Sequence, residues 1–176
     1  MKKSTFQLAF CSLVAALSVA LMFLTGLIPV GTYAAPCMVG IFLCAVVIES
    51  GYAGGFAVYA VVSVLSFLIS ADKEAVLYYI GFLGLYPILK GLIERIRLIW
   101  LQYITKLAFF NAAMIAIFYI GIFVLGIPKE SFNLFGVYLP WVFLVIGNAV
   151  FFIYDICATR LISLYIMKWR EKLRIK

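Results

Sequence analysis

Six stretches of almost unbroken apolar residues, separated by short breaks, decide what this chain can fold into. About 20 consecutive apolar residues cross the hydrocarbon core of a bilayer as one helix. The stretches are continuous rather than alternating, which excludes the strands of a membrane barrel. Only 12% of the 176 residues are charged and 67% are hydrophobic, with mean hydropathy +1.19. A soluble domain carries about 25% charged residues, so no water-facing surface can be built here. The sequence predicts an all-α integral membrane protein. It is read as a six-transmembrane-helix bundle, a single domain over residues 1–176, lying in the lipid bilayer of the cell membrane.

The runs are bounded by ordinary breakers. Run one covers residues 6–28 and stops at Pro29 and Gly31, since proline fixes φ and lacks a backbone donor. It follows Lys2 and Lys3 as a signal peptide would. It is nevertheless longer than the roughly 7–15 apolar residues of a signal segment, so it is read as a retained helix. Residues 30–36 connect it to run two (37–48). Glu49, Ser50, Gly51, Gly54 and Gly55 form the next break, and run three covers 56–69. After Asp72-Lys73-Glu74 comes run four (75–89), in which Pro87 is expected to kink the helix. Residues 90–106 mix charges with Leu92, Ile96, Leu98 and Trp100, as an amphipathic segment at the membrane interface would. Run five covers 107–125 and run six 138–162, followed by a basic tail over 168–176. Runs two to four are short for a span and are expected to draw on adjoining residues.

Lysine and arginine in short connections set orientation. With the N-terminus inside, twelve of the fourteen basic residues fall on the inner side, and only Lys73 and Lys129 fall outside. An N-in/C-in arrangement follows. The net charge of +7 therefore points to a lipid surface, not to nucleic acid.

Several chemistries lack their residues. There is no histidine, which removes a Ser-His-Asp triad and the usual neutral-pH proton carrier. There is no P-loop, G-x-S-x-G or H-E-x-x-H. The four cysteines lie in or beside apolar runs, without C-x-x-C, and read as small buried hydrophobes. No catalytic residue, metal site or cofactor is expected.

The polar residues inside the runs are therefore the informative ones. Asp155, in the inner half of run six, needs a partner at that depth; Arg160, Lys106 and Lys90 are the candidates. It is either a coupling or substrate group, or one half of a structural ion pair. Asn148 stands seven residues earlier, about two helical turns, on the same face. It is either part of a polar pocket wall or a hydrogen bond between helices, and Asn111 has the same two readings. At the outer face Asp72 suits a helix N-cap, while Lys73 offers an ammonium to an anion. Tyr33, Tyr78, Tyr79 and Tyr86 are belt aromatics or pocket walls. On run one, Ser12, Ala16 and Ala20 repeat at every fourth position and make a smooth face for close helix approach.

Size, six runs, Ala16-Leu-Ser-Val-Ala20, Leu27-Ile-Pro29 and Gly147-Asn148 before a basic C-terminus together resemble the substrate-binding S-component of energy-coupling factor (ECF) vitamin transporters. The resemblance implies six helices with cytoplasmic ends and a small-molecule substrate. It also implies a membrane scaffold subunit docked on Ala16 and Ala20, and separate cytoplasmic ATPases. It makes Asn148 a ligand contact. Independently of the resemblance, the polar and aromatic residues at the outer half, Tyr33, Asp72, Lys73, Tyr79 and Asn148, are expected to wall a pocket reachable from outside. The connection after run one is shorter than the family's ligand-closing loop, and no vitamin-specific signature is present, so the substrate is not implied. The other readings are a small ion- or proton-coupled carrier using Asp155, and a structural or assembly membrane protein without a ligand.

Overall fold

The computed structural model describes residues 3–26, 31–124, 126, 133–134, 137–138 and 140–169. Among these the regular structure is helical, joined by short turns, apart from two two-residue strands, Asn133–Leu134 and Val137–Tyr138, paired antiparallel. Among the described residues, five elements are long and apolar enough to cross a membrane. They are α1 (Lys3–Leu24), α2 (Gly31–Ile69), α3 (Lys73–Ile93), α4 (Ile99–Phe123) and α5 (Pro140–Leu164). The Leu27-Ile-Pro29 exit, Lys2, Lys129 and the tail beyond residue 169 lie outside the described residues.

The 39 residues of α2 fold back on themselves. Gly51 has φ 76° and ψ −177°, a backbone state that side-chain-bearing residues rarely adopt. Thr32, at the start of the first limb, donates to the Asp72 carboxylate just past the end of the second (2.7 Å). They meet because residues 31–50 and 52–69 run antiparallel. Runs two and three are thus longer than expected. Residues 31–36 are helical, since Pro36 removes one hydrogen bond without ending the helix.

α3 is helical through Tyr78, a π-turn over Tyr79–Leu83, then helical again over Tyr86–Ile93. The expected kink at Pro87 appears one turn earlier. Pro87 has no N–H for the Leu83 carbonyl, and the ladder loosens ahead of it, with the Gly84 N–H reaching back to Tyr79 (2.8 Å). The separate interfacial segment expected over residues 90–106 is not formed. Its first residues finish α3, and its last ones, from Ile99, open α4. A run of apolar side chains from Leu98 to Leu101 lets the helix start before the next polar cluster.

The two ends of the bundle differ. At the end here termed basal, Gln7 Nε2 donates to the Glu49 carbonyl (2.6 Å) and the Tyr165 hydroxyl to the Glu49 carboxylate (3.5 Å). Residues close to both ends of the chain therefore meet at one place. At the opposite, apical end, the Ser70 hydroxyl donates to the Met22 carbonyl (3.0 Å).

α3 is the central helix: 56% of its apolar span is buried, against 11% for α1. One face packs with α1 and α2 through Val14, Met22, Leu43, Val62, Val76 and Tyr79. The other packs with α4 and α5 through Phe82, Tyr86, Phe110, Ile117 and Phe151. Phe110 and Phe151 stack at 4.8 Å, and Phe82 meets both edge-on. In lipid such packing, rather than expulsion of water, holds helices together. Gly40 allows a close approach between helices: a Cβ there would lie 2.6 Å from the Tyr154 hydroxyl and 2.7 Å from the Leu83 carbonyl.

Candidate functional site

The most concentrated chemistry sits at the basal end, where α3, α4 and α5 converge. Lys90 is in the last turn of α3, where the helix dipole favours a cation. Asp155 and Thr159 lie one turn apart on α5, so both face it. Lys90 donates to Asp155, to the Thr159 hydroxyl (2.8 Å) and to Glu94 (2.7 Å). Lys106, from α4, pairs with Glu94 (2.9 Å) and with both Asp155 oxygens (3.0 and 3.2 Å). The Tyr86 hydroxyl also donates to Asp155. Lys90, Lys106 and Asp155 are buried at 1%, 4% and 6% exposure.

Two ammoniums and two carboxylates make this cluster neutral. Lys90 uses its three protons on three acceptors, so it has no donor left for a ligand. Burial would raise the Glu94 carboxyl, but hydrogen bonds and charge from Lys90 and Lys106 outweigh it and hold Glu94 below the ordinary glutamate range. Asp155 takes Lys90 and Lys106 from the three candidate partners. Arg160 is exposed and outside the cluster, because five residues along a helix rotate it well away from the Asp155 face. The sequence reading missed Tyr86, Glu94 and Thr159 as cluster members. The i,i+4 spacings Lys90–Glu94 and Asp155–Thr159 were the available signal.

Toward the middle of the bundle, Asn111 on α4 and Asn148 on α5 exchange two reciprocal amide hydrogen bonds, each 3.0 Å. Each amide nitrogen also bonds the carbonyl four residues back, Leu107 and Leu144 (2.8 Å each). Asn148 and Asp155 do share one face, and that face meets α4.

The apical end gathers some of the predicted pocket residues. Asp72 caps α3 by accepting from the Ala75 N–H (3.0 Å) and also takes the Thr32 hydroxyl. Tyr33 and Tyr78 donate to the same Glu74 oxygen (3.1 and 3.2 Å), with their rings 5.2 Å apart. Lys73 turns back to the Phe67 carbonyl (2.6 Å) and lies over that ring. Tyr79 does not join them. It is wholly buried beside Tyr59, with no partner for its hydroxyl among the described residues. Asn148 is engaged with Asn111 instead. The structure thus brings Tyr33 and Asp72 to one end, with Lys73 beside them, and leaves Tyr79 and Asn148 elsewhere.

Ala16 and Ala20 are exposed. They line an open apolar groove of about 810 Å³ between α1 and the second limb of α2, with Phe23, Val61 and Leu65 among its walls.

Helix length, apolarity and buried ion pairs define the class: a multi-pass, all-α membrane protein. Comparison with protein-family models, with curated proteins and with solved structures finds no match.

Proposed function

We propose that this chain is the membrane-embedded, substrate-binding subunit of an ECF-type transporter for a vitamin or other small micronutrient. It crosses the cell membrane six times, with both ends in the cytoplasm, and itself catalyses nothing. A separate scaffold subunit and cytoplasmic ATPases supply the energy. Six crossings are supported by the reversal at Gly51, which divides α2 into two apolar limbs. Ends on one side are supported by Gln7 and Tyr165 meeting at Glu49. Arg95, Arg97 and Lys168 at that basal end favour the cytoplasmic side.

The observation that carries the proposal is the open groove over Ala16 and Ala20. Small side chains on an exposed helix face let a second backbone approach closely, and this chain leaves that face uncovered. The substrate would enter at the apical end, where Tyr33, Glu74, Tyr78, Thr32 and Asp72 offer aromatic rings and polar anchors. A carrier driven through Asp155 is less well supported, because Asp155 is held by two lysines and a phenol.

Coexpression with an ECF scaffold and its ATPase pair tests this. The wild type should co-purify with the module, and Ala16→Leu/Ala20→Leu should not, while melting at the same temperature in detergent. One vitamin of a panel should raise the wild-type melting temperature. A chain that never joins the module and responds to no vitamin refutes the proposal.

A further inference from the structure

Beside the neutral cluster, the basal end holds a second feature that the proposed transport role does not use. A pocket of about 320 Å³ lies between the first limb of α2, the end of α3 and α5. That is near the lower limit of ligand pockets, about 300–1,000 Å³, so it suits a headgroup-sized guest. Its walls are apolar at Val47, Ile48, Pro87 and Ile162, and it also touches Lys90, Glu94 and Arg95.

Counting charges identifies the guest. Lys90, Lys106, Glu94 and Asp155 balance one another through short ion pairs. Among the residues lining the pocket, Arg95 is then the surplus positive charge. No carboxylate pairs with it among the described residues. Its exposed guanidinium lies 5.1 Å from the centre of the Tyr52 ring, within cation–π range, and makes no hydrogen bond to another described residue. Tyr52 is itself held in place: a Cβ on Gly91 would come within 2.9 Å of its hydroxyl. The Glu49 carboxylate accepts from the Tyr165 hydroxyl, and Glu49 does not line the pocket. An exposed, uncompensated guanidinium lining an apolar-walled pocket matches a phosphate joined to an apolar body.

We propose that this pocket seats the phosphodiester headgroup of an anionic membrane lipid. The phosphate sits on Arg95, and the glycerol and first acyl carbons lie against Val47, Ile48, Pro87 and Ile162. This assignment stands apart from the transporter reading, since it needs neither a substrate nor a scaffold.

The full chain, purified in a neutral detergent, is melted with added phosphatidylglycerol, phosphatidylcholine or soluble glycerol phosphate. Phosphatidylglycerol should raise the wild-type melting temperature by about 3 °C or more beyond phosphatidylcholine, and glycerol phosphate should not. Arg95→Gln should lose that increment while melting as the wild type does in phosphatidylcholine. Arg97→Gln, which removes an equal charge two residues away, should keep it. Equal shifts from both lipids overturn the proposal, as does an increment retained in Arg95→Gln. Loss in Arg97→Gln as large as in Arg95→Gln indicates diffuse attraction and overturns it too. A full shift with glycerol phosphate assigns the pocket to a soluble phosphate and overturns the lipid.

Discussion

The two ends of the bundle use the same residue types to opposite effect. At the basal end, Lys90, Lys106, Glu94 and Asp155 join three helices, and three of the four are almost wholly buried. At the apical end, Asp72, Lys73 and Glu74 are only half-buried and bond within a few residues or to the next helix. Water can replace a lost partner at the apical end. For the three buried groups at the basal end nothing can, so a missing partner strands a charge at low dielectric.

The largest expected effect follows directly. Asp155→Ala leaves Lys90 and Lys106 facing each other without their shared carboxylate, and should cost about 3–5 kcal/mol of stability. Unfolding in mixed micelles measures this. A loss below about 1 kcal/mol would mean that the cluster is hydrated, and the contrast between the ends would collapse. The same cluster fixes a pH response through Glu94, which lies in the α3–α4 connection. Its folded carboxyl is lower than its unfolded one, so its stabilisation is complete above the ordinary glutamate range and disappears as pH falls through the depressed value. The stability difference between wild type and Glu94→Gln should therefore be constant from neutral pH down to that range, then shrink. A difference that grows on acidification contradicts the pairing.

Much of this contrast was readable in the residue order. Continuous apolar runs gave the helices, and the gap between them and the few charges gave Asp155 a short list of partners. The choice among those partners was not readable, because it depends on which face of α4 meets α5. Helix limits were also misjudged where tertiary packing overrides local breakers. Gly31 to Pro36 looked like a connection by composition, yet the Thr32–Asp72 bond holds it as the first turns of α2. Pro87 marked a distortion correctly but not its place, since the missing N–H acts on the carbonyl one turn before. Tyr79 and Tyr33 looked alike as aromatics near an interface. Adjacent helical positions such as Tyr78 and Tyr79 point about 100° apart, and only one of those two faces Tyr33.

The amide pair is the intermediate case, polar and inside the bundle but uncharged. Asn111→Leu or Asn148→Leu should each cost about 1–2 kcal/mol, by stranding the other amide. The double variant should recover part of the loss, because no unsatisfied partner remains. A double-mutant cycle in detergent gives the coupling, expected at about 0.6–2 kcal/mol. Strictly additive losses would show that the two amides do not depend on each other.

Next in size is Asp72→Ala. It removes the cap on the Ala75 N–H and the acceptor of Thr32. An N-cap substitution costs about 0.5–2 kcal/mol. Asp72→Asn should keep most of it, because the amide oxygen can still accept from both donors. If the two variants lose equally, the carboxylate charge matters more than the cap, and the apical end is less hydrated than its exposure indicates.

The smallest effect should come from Glu74→Gln. Glu74 accepts from Tyr33 and Tyr78 through one oxygen, and an amide oxygen can accept the same bonds. Tyr33 is 60% exposed, so water is at hand for whatever bond weakens. The change should stay below about 0.5 kcal/mol. Glu94→Gln applies the same chemical change at the other end, where the carboxylate answers two lysines instead of two phenols. It should destabilise more than Glu74→Gln under identical conditions. Equal losses would show that burial of the partners, Lys90 and Lys106, does not govern what a carboxylate is worth here. A larger loss at Glu74 would place the structurally critical charge at the apical end instead.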